Sequence, residues 1–130
     1  MKTKRIKQIV NIKASPIKVY EALMDSKKHA EFTGYPAKIS NKVGGEFMAS
    51  GDYIHGKNLE LHPGKKIVQE WRAADWPEGH RSKVIFKLNK TKAGTRLTFI
   101  HERLPAEFVD SISDGWRDYY WVPLKQYLER

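Results

Sequence analysis

The feature that most constrains this chain is a run of aromatic residues near its end, Trp116, Tyr119, Tyr120, Trp121 and Tyr127, inside a segment patterned as a long helix. At about 100° per residue, Ile112, Trp116, Tyr119, Tyr120, Pro123 and Tyr127 fall on one stripe, and Asp110, Asp114 and Asp118 lie opposite. Aliphatic residues suffice for plain packing. Trp and Tyr add large flat surfaces with polar tips that need partners, so the helix suits the wall of a cavity. Trp121 does not fit the stripe, because the same count puts it roughly 140° away. Either Pro123 kinks the helix and turns Trp121 inward, or Trp121 packs on another surface and anchors a partner. The three aspartates read as a solvated face, with Arg117 offsetting their repulsion.

The preceding residues supply what such a helix packs against. Residues 4–13 alternate as a strand with Ile6, Gln8, Val10 and Ile12 on one face. Ser15 and Pro16 read as the N-cap and first residue of a helix carrying Val19, Tyr20, Leu23 and Met24. Asp25-Ser26 ends it and caps a second short helix, Lys27 to Phe32. From Gly34 the period switches to two. Short strands are expected over Lys38–Ser40, Glu46–Ala49, Tyr53–Leu61, Lys66–Ala73, Ser82–Leu88 and around Leu97, Phe99 and His101, with turns at Gly44-Gly45, His62-Pro63-Gly64, Trp76-Pro77-Glu78-Gly79 and Asn89–Gly94. Hairpin-linked strands make an antiparallel sheet. The predicted fold is α+β: a curved antiparallel sheet of about six to seven strands wrapped around a long C-terminal helix, with two short helices after strand one, in one domain spanning 1–130. The inner surface carries Phe47, Leu59, Leu61, Trp71, Val84, Phe86, Leu97, Phe99 and His101.

Composition narrows the chemistry. The chain has 130 residues, 40% of them apolar, which supports a folded core. Without cysteine it has no disulfide, thiolate metal site or cysteine nucleophile. No apolar run follows Met1-Lys-Thr-Lys-Arg-Ile-Lys7, so neither a signal peptide nor a membrane span is expected, and the expected compartment is cytoplasmic. The net charge is +9. The bases are spread mostly singly, and Arg5 and Lys7 share the outward face of the first strand, which protects a sheet edge. No nucleic-acid motif accompanies them. His29, His55, His62, His80 and His101 lack metal-ligand spacing, and no cofactor signature is present. The inner face supplies one titratable group, His101, expected to hydrogen-bond a tyrosine. Glu46, Glu70 and Glu102 have outward parity, and Val43-Gly-Gly-Glu46 joins strands rather than opening a helix, so it is not a phosphate loop.

Several motifs carry a resemblance. Ala14-Ser-Pro-Ile-Lys-Val-Tyr-Glu-Ala-Leu-Met-Asp25 resembles the strand–helix junction of the START-like, or helix-grip, superfamily. Val43-Gly-Gly-Glu-Phe47, Gly56-Lys-Asn-Leu-Glu-Leu61, Pro63-Gly-Lys-Lys-Ile-Val-Gln-Glu-Trp-Arg72, Asp75-Trp-Pro-Glu-Gly-His80, Gly115-Trp116 and Tyr119-Tyr-Trp-Val-Pro-Leu-Lys125 resemble its Aha-type branch, named for the activator of the 90-kDa heat-shock chaperone's ATPase. The resemblance implies the helix-grip fold and a pocket between sheet and terminal helix for an apolar or amphipathic ligand. Phe32, Phe47, Tyr53, Gln69, Trp71, Phe86, Phe99, His101, Trp116 and Tyr120 are the expected cavity residues. Gln69, His101 and Tyr120 supply the polar tips, and Phe32, Tyr35 and Tyr53 the mouth. The second function it implies is a stress-related interaction module bound to a chaperone or other protein. A third is a cofactor-free cyclase or hydrolase.

Overall fold

The structure, a computed structural model, describes residues 2–130. Strand β1 (Thr3–Ile12) is followed by helices α1 (Pro16–Met24) and α2 (Ser26–Thr33). Strands β2 (Lys38–Ile39), β3 (Glu46–Ala49), β4 (Ile54–His62), β5 (Lys66–Ala73), β6 (Ser82–Lys90) and β7 (Thr95–Pro105) come next. A 3-10 turn at Ala106–Phe108 leads into α3 (Val109–Gly115), a π-helical segment (Trp116–Trp121) and α4 (Val122–Leu128). The strands form one seven-stranded antiparallel sheet in the order β1-β7-β6-β5-β4-β3-β2. This curved sheet around a terminal helix is the architecture the sequence predicts.

Local chemistry sets the boundaries. Pro16 opens α1 at a position where a missing N–H costs nothing. Ser15 sits at the cap with extended backbone, yet its side chain makes no capping bond, contrary to expectation. Asp25 does cap α2, accepting from the Lys28 N–H at 2.9 Å. Gly34 ends that helix in the left-handed region (φ 80°), which an L side chain adopts only at a cost.

The inner sheet face follows the predicted alternation at Phe47, Trp71, Val84, Phe86, Leu97, Phe99 and His101, all buried. Leu59 does not: it is 38% exposed. A bulge between Asn58 and Glu60 breaks the period of two and turns Leu59 outward. Asn58 is fully buried instead. Its amide donates to the carbonyls of Ser40 (2.7 Å) and Lys42 (3.0 Å), tying the β2–β3 loop to the sheet.

The terminal helix departs from uniform α geometry. The Val122 N–H donates to the Arg117 carbonyl, five residues back. This π register brings Trp121 inside (4% exposed) and turns Tyr119 out (58% exposed). Trp121 is therefore a core residue rather than a surface anchor, and Tyr119 leaves the stripe. The inward turn comes from the π segment just before Pro123.

Candidate functional site

A half-open cleft of about 350 Å³ lies between the β3–β4 turn, the start of β4 and the terminal helix. Ile54, Trp71, Ile112, Trp116 and Tyr120 form its floor, and Tyr35, Tyr53 and Tyr119 stand exposed around its opening. Ser50, Ser111 and Gly115 complete the lining, which is mostly apolar. Gly115 matters for its shape, because a side chain there would point into open space with only the Tyr119 ring nearby, at 3.9 Å.

The floor is held by a buried polar network. Ser82 Oγ donates to the Trp71 carbonyl at 2.8 Å and so accepts from His101 Nε2 at 2.7 Å. Trp116 Nε1 donates to His101 Nδ1 at 3.1 Å. One tautomer satisfies the set: His101 neutral, with its proton on Nε2. Burial lowers its pKa to about 3, so it stays neutral across the physiological range. His101 thus bonds a serine and a tryptophan rather than the expected tyrosine. It fixes the Trp116 indole, whose ring lies 5.7 Å from that of Trp71.

The predicted cavity residues separate into two groups. Tyr53, Trp71, Trp116 and Tyr120 line the cleft. Phe32, Phe47, Gln69, Phe86, Phe99 and His101 do not. Phe86 and Phe99 pack at 5.1 Å from each other beneath Trp116, which sits 4.3 Å from Phe99. Phe32 is buried against His29 and Tyr120 instead of standing at the mouth. Gln69 donates to Asn58 Oδ1 at 3.0 Å. Phe47, Gln69 and Phe86 border only a gap of about 20 Å³ shared with His29, about the size of a single water. The deep half of the expected cavity is filled by its own aromatic rings.

Two residues outside the predicted set shape the surroundings. Trp76, expected in a turn, is buried 5.3 Å from the Trp71 ring and backs the cleft floor. His29 is buried on α2 with its Nδ1 unpartnered, and burial lowers its pKa to about 4. An aromatic residue inside an otherwise polar turn was the available signal for Trp76.

At the rim, Tyr53 Oη donates to Asp75 at 2.9 Å. Burial, then this bond, raise its pKa to about 12, and burial also raises that of Tyr120. Both phenols are neutral at neutral pH. The lining contains no carboxylate, histidine or lysine.

Comparison with known proteins agrees with this architecture. The family described as "Activator of Hsp90 ATPase homolog 1-like protein" matches residues 13–129. Human activator of 90 kDa heat shock protein ATPase homolog 1 is 30% identical over 112 residues, covering 86% of this chain and 33% of that protein. The Dictyostelium discoideum homologue is 30% identical over 116 residues, covering 88% and 30%. The chain therefore spans about a third of the length of these curated relatives. The crystal structure of an HSP90 activator from Plasmodium falciparum superposes with a TM-score of 0.89 at 23% identity, covering 96% of both chains. The solution structure of the Aha1 dimer from Colwellia psychrerythraea gives 0.82 at 23%, covering 97% and 96%. These two likenesses show the fold, and among the described residues no helix is long and apolar enough to cross a membrane. With residues 13–129 of its 130 matched, this chain belongs to the Activator of Hsp90 ATPase homolog 1-like family.

Proposed function

We propose that this protein reversibly binds a small apolar or amphipathic molecule in the cleft between the sheet and the terminal helix. The observation that carries this reading is the apolar, tyrosine-rimmed opening onto an immobilised indole pair, Trp71 and Trp116. Its volume of about 350 Å³ falls at the small end of ligand pockets. Removing apolar area from water would drive binding, at roughly 25 cal/mol per Å² before entropy costs. Neutral Tyr53 and Tyr120 and the hydroxyls of Ser50 and Ser111 would orient the ligand. A lining without paired titratable groups favours binding over acid–base chemistry. Native mass spectrometry on gently purified protein, with titration by 1-anilinonaphthalene-8-sulfonate, tests the reading. An extra mass lost on denaturation, or saturable dye binding at one site, is expected. A bare chain that never saturates with dye would refute it.

A second reading, modulation of a 90-kDa heat-shock chaperone's ATPase, is favoured by the family relationship. The relatives carrying that name are about three times longer than the matched region, so this segment would supply only part of their interaction. Adding the purified chain to such a chaperone and following ATP turnover tests it. No change in turnover at any ratio would sink it.

A further inference from the structure

The cleft uses the inner side of the sheet, and the outer side has a charge pattern of its own. Strand register places Glu102, Lys83, Glu70, Lys57 and Glu46 side by side from β7 to β3. Acid alternates with base along this row, so every charge has an opposite neighbour. Two residues along the strands, Ile100, Ile85 and Val68 lie in line, with Lys7 of β1 at one end and Glu60 of β4 at the other. One row further come Thr98, Lys87 and Lys66, with Ile9 of β1 at the same end. There the alternation fails.

Lys66 stands directly opposite Lys87, a like-charge pairing that a sheet ordinarily avoids. Lys66 reaches Glu60 at 3.6 Å. Among the described residues, Lys7, Lys87 and Arg96 make no ion pair. Lys65, Lys66, Lys87 and Lys90 also surround a groove of about 450 Å³ whose lining contains no acid. Beside these bases, Ile9 is 57% exposed and Ile85 half-buried. One half of the outer face is thus charge-neutralised within the chain, and the other half sets Glu60 against Lys7, Lys66, Lys87 and Arg96, an excess of base beside exposed aliphatic carbon.

We propose that this half of the outer face, centred on Ile9, Ile85, Lys66 and Lys87, docks an acidic segment of a partner protein that carries apolar side chains among its carboxylates. The apolar side chains would cover Ile9 and Ile85, and the carboxylates would neutralise Lys7, Lys66, Lys87 and the groove lysines. Single-stranded nucleic acid is the poorer fit, because the outward positions of β1, β5, β6 and β7 include no aromatic residue on which a base could stack. This surface lies across the sheet from the cleft, so the proposal stands apart from the ligand reading.

The test is amide-shift mapping of the full chain with a short synthetic peptide of glutamates interspersed with leucines, compared with polyglutamate of equal length and single-stranded DNA. Perturbations should centre on Lys7, Ile9, Ile85, Lys87 and Arg96 and weaken with salt. The double reversal Lys66→Glu/Lys87→Glu should weaken binding about tenfold or more, and Ile9→Ser several-fold. The remote reversal Lys27→Glu/Lys42→Glu, equal in net charge, should change it less than about twofold. Gly115→Leu, on the cleft side, should leave it unchanged. Equal affinity for polyglutamate or DNA, shifts scattered over unrelated lysines, or equal losses from the remote reversal would each overturn the proposal.

Discussion

The indoles of Trp116 and Trp121 stack 5.5 Å apart and 19° from parallel, although five positions separate them in the chain. An α-helix would point them roughly 140° apart. The π turn between them absorbs the difference, and both rings reach Phe99, at 4.3 and 5.1 Å. An indole buries on the order of 200 Å², worth about 5 kcal/mol of transfer energy, which outweighs the poorer hydrogen-bond geometry of one wide turn. The stack ties the cleft floor to the β1 edge. Trp121 Nε1 donates to Gln8 Oε1 at 2.6 Å, and Gln8 Nε2 donates to the Ser113 carbonyl at 3.1 Å.

Gln8→Ala should therefore destabilise the protein by about 1–3 kcal/mol, because it leaves the Trp121 N–H inside without a partner. Urea unfolding checks the value, and near-ultraviolet circular dichroism should show the indole stack loosening. A loss below about 0.5 kcal/mol would mean that Gln8 is only a solvated surface contact.

The sheet was largely legible in the sequence, because its signal is local. Val84, Phe86 and Leu88, and Leu97, Phe99 and His101, alternate as half-buried strands must. What escaped were the breaks in periodicity. Leu59 turns outward at a bulge that a period of two cannot register. Trp121 turns inward in a π segment that a uniform 100° step cannot anticipate. The site was half legible for a different reason. Trp71, Trp116, Tyr53 and Tyr120 face the cleft, but whether Phe86 and Phe99 line a cavity or fill it depends on how ring volumes meet in three dimensions. The resemblance to Aha-type proteins implied the same fold and a pocket between sheet and helix. It could not supply that packing.

Stability should fall steeply on mild acidification. His29 and His101 are held neutral, with pKa values of about 4 and about 3. In the unfolded chain each titrates near 6.5. Between those values the unfolded state binds more protons, so stability is full above pH 6.5 and is lost as pH falls toward 4. Around pH 5 the two histidines together contribute a slope of about 2–3 kcal/mol per pH unit. His29→Leu should remove about half of it, at little cost at pH 7, because His29 Nδ1 has no partner to lose. Urea unfolding at pH 7, 6 and 5 measures both slopes. An unchanged slope in the variant would show that His29 titrates freely in the folded protein.

Filling the cleft should separate binding from folding. Gly115 has helical backbone angles (φ −61°, ψ −42°) and open space beyond its Cα. Gly115→Leu should place a side chain over Trp116, abolish dye or ligand binding, and raise stability by up to about 1 kcal/mol through helix propensity. Retained binding would place the ligand elsewhere. Lost binding with lost stability would mean that the space is already closed by motion of Tyr119.

The π segment should be energetically coupled to Pro123. Proline lacks an N–H and its ring collides with the carbonyl four residues earlier in an α-helix, a cost of about 3 kcal/mol. Pro123 avoids that interior position by standing second in α4, directly after the wide turn. Deleting the exposed Tyr119 leaves Trp121 four positions after Trp116, the spacing that an α-helix places on one face. The deleted chain could then run as an uninterrupted α-helix with both indoles inside, but Pro123 would stand in its interior. The deletion alone should cost about 3 kcal/mol, and in a Pro123→Ala background less than about 1 kcal/mol. A double-mutant cycle by urea unfolding reads the coupling, expected near 2 kcal/mol. Equal costs in both backgrounds would show that the proline ring is not what holds the turn open, leaving the Gln8–Trp121 bond and the indole stack as its cause.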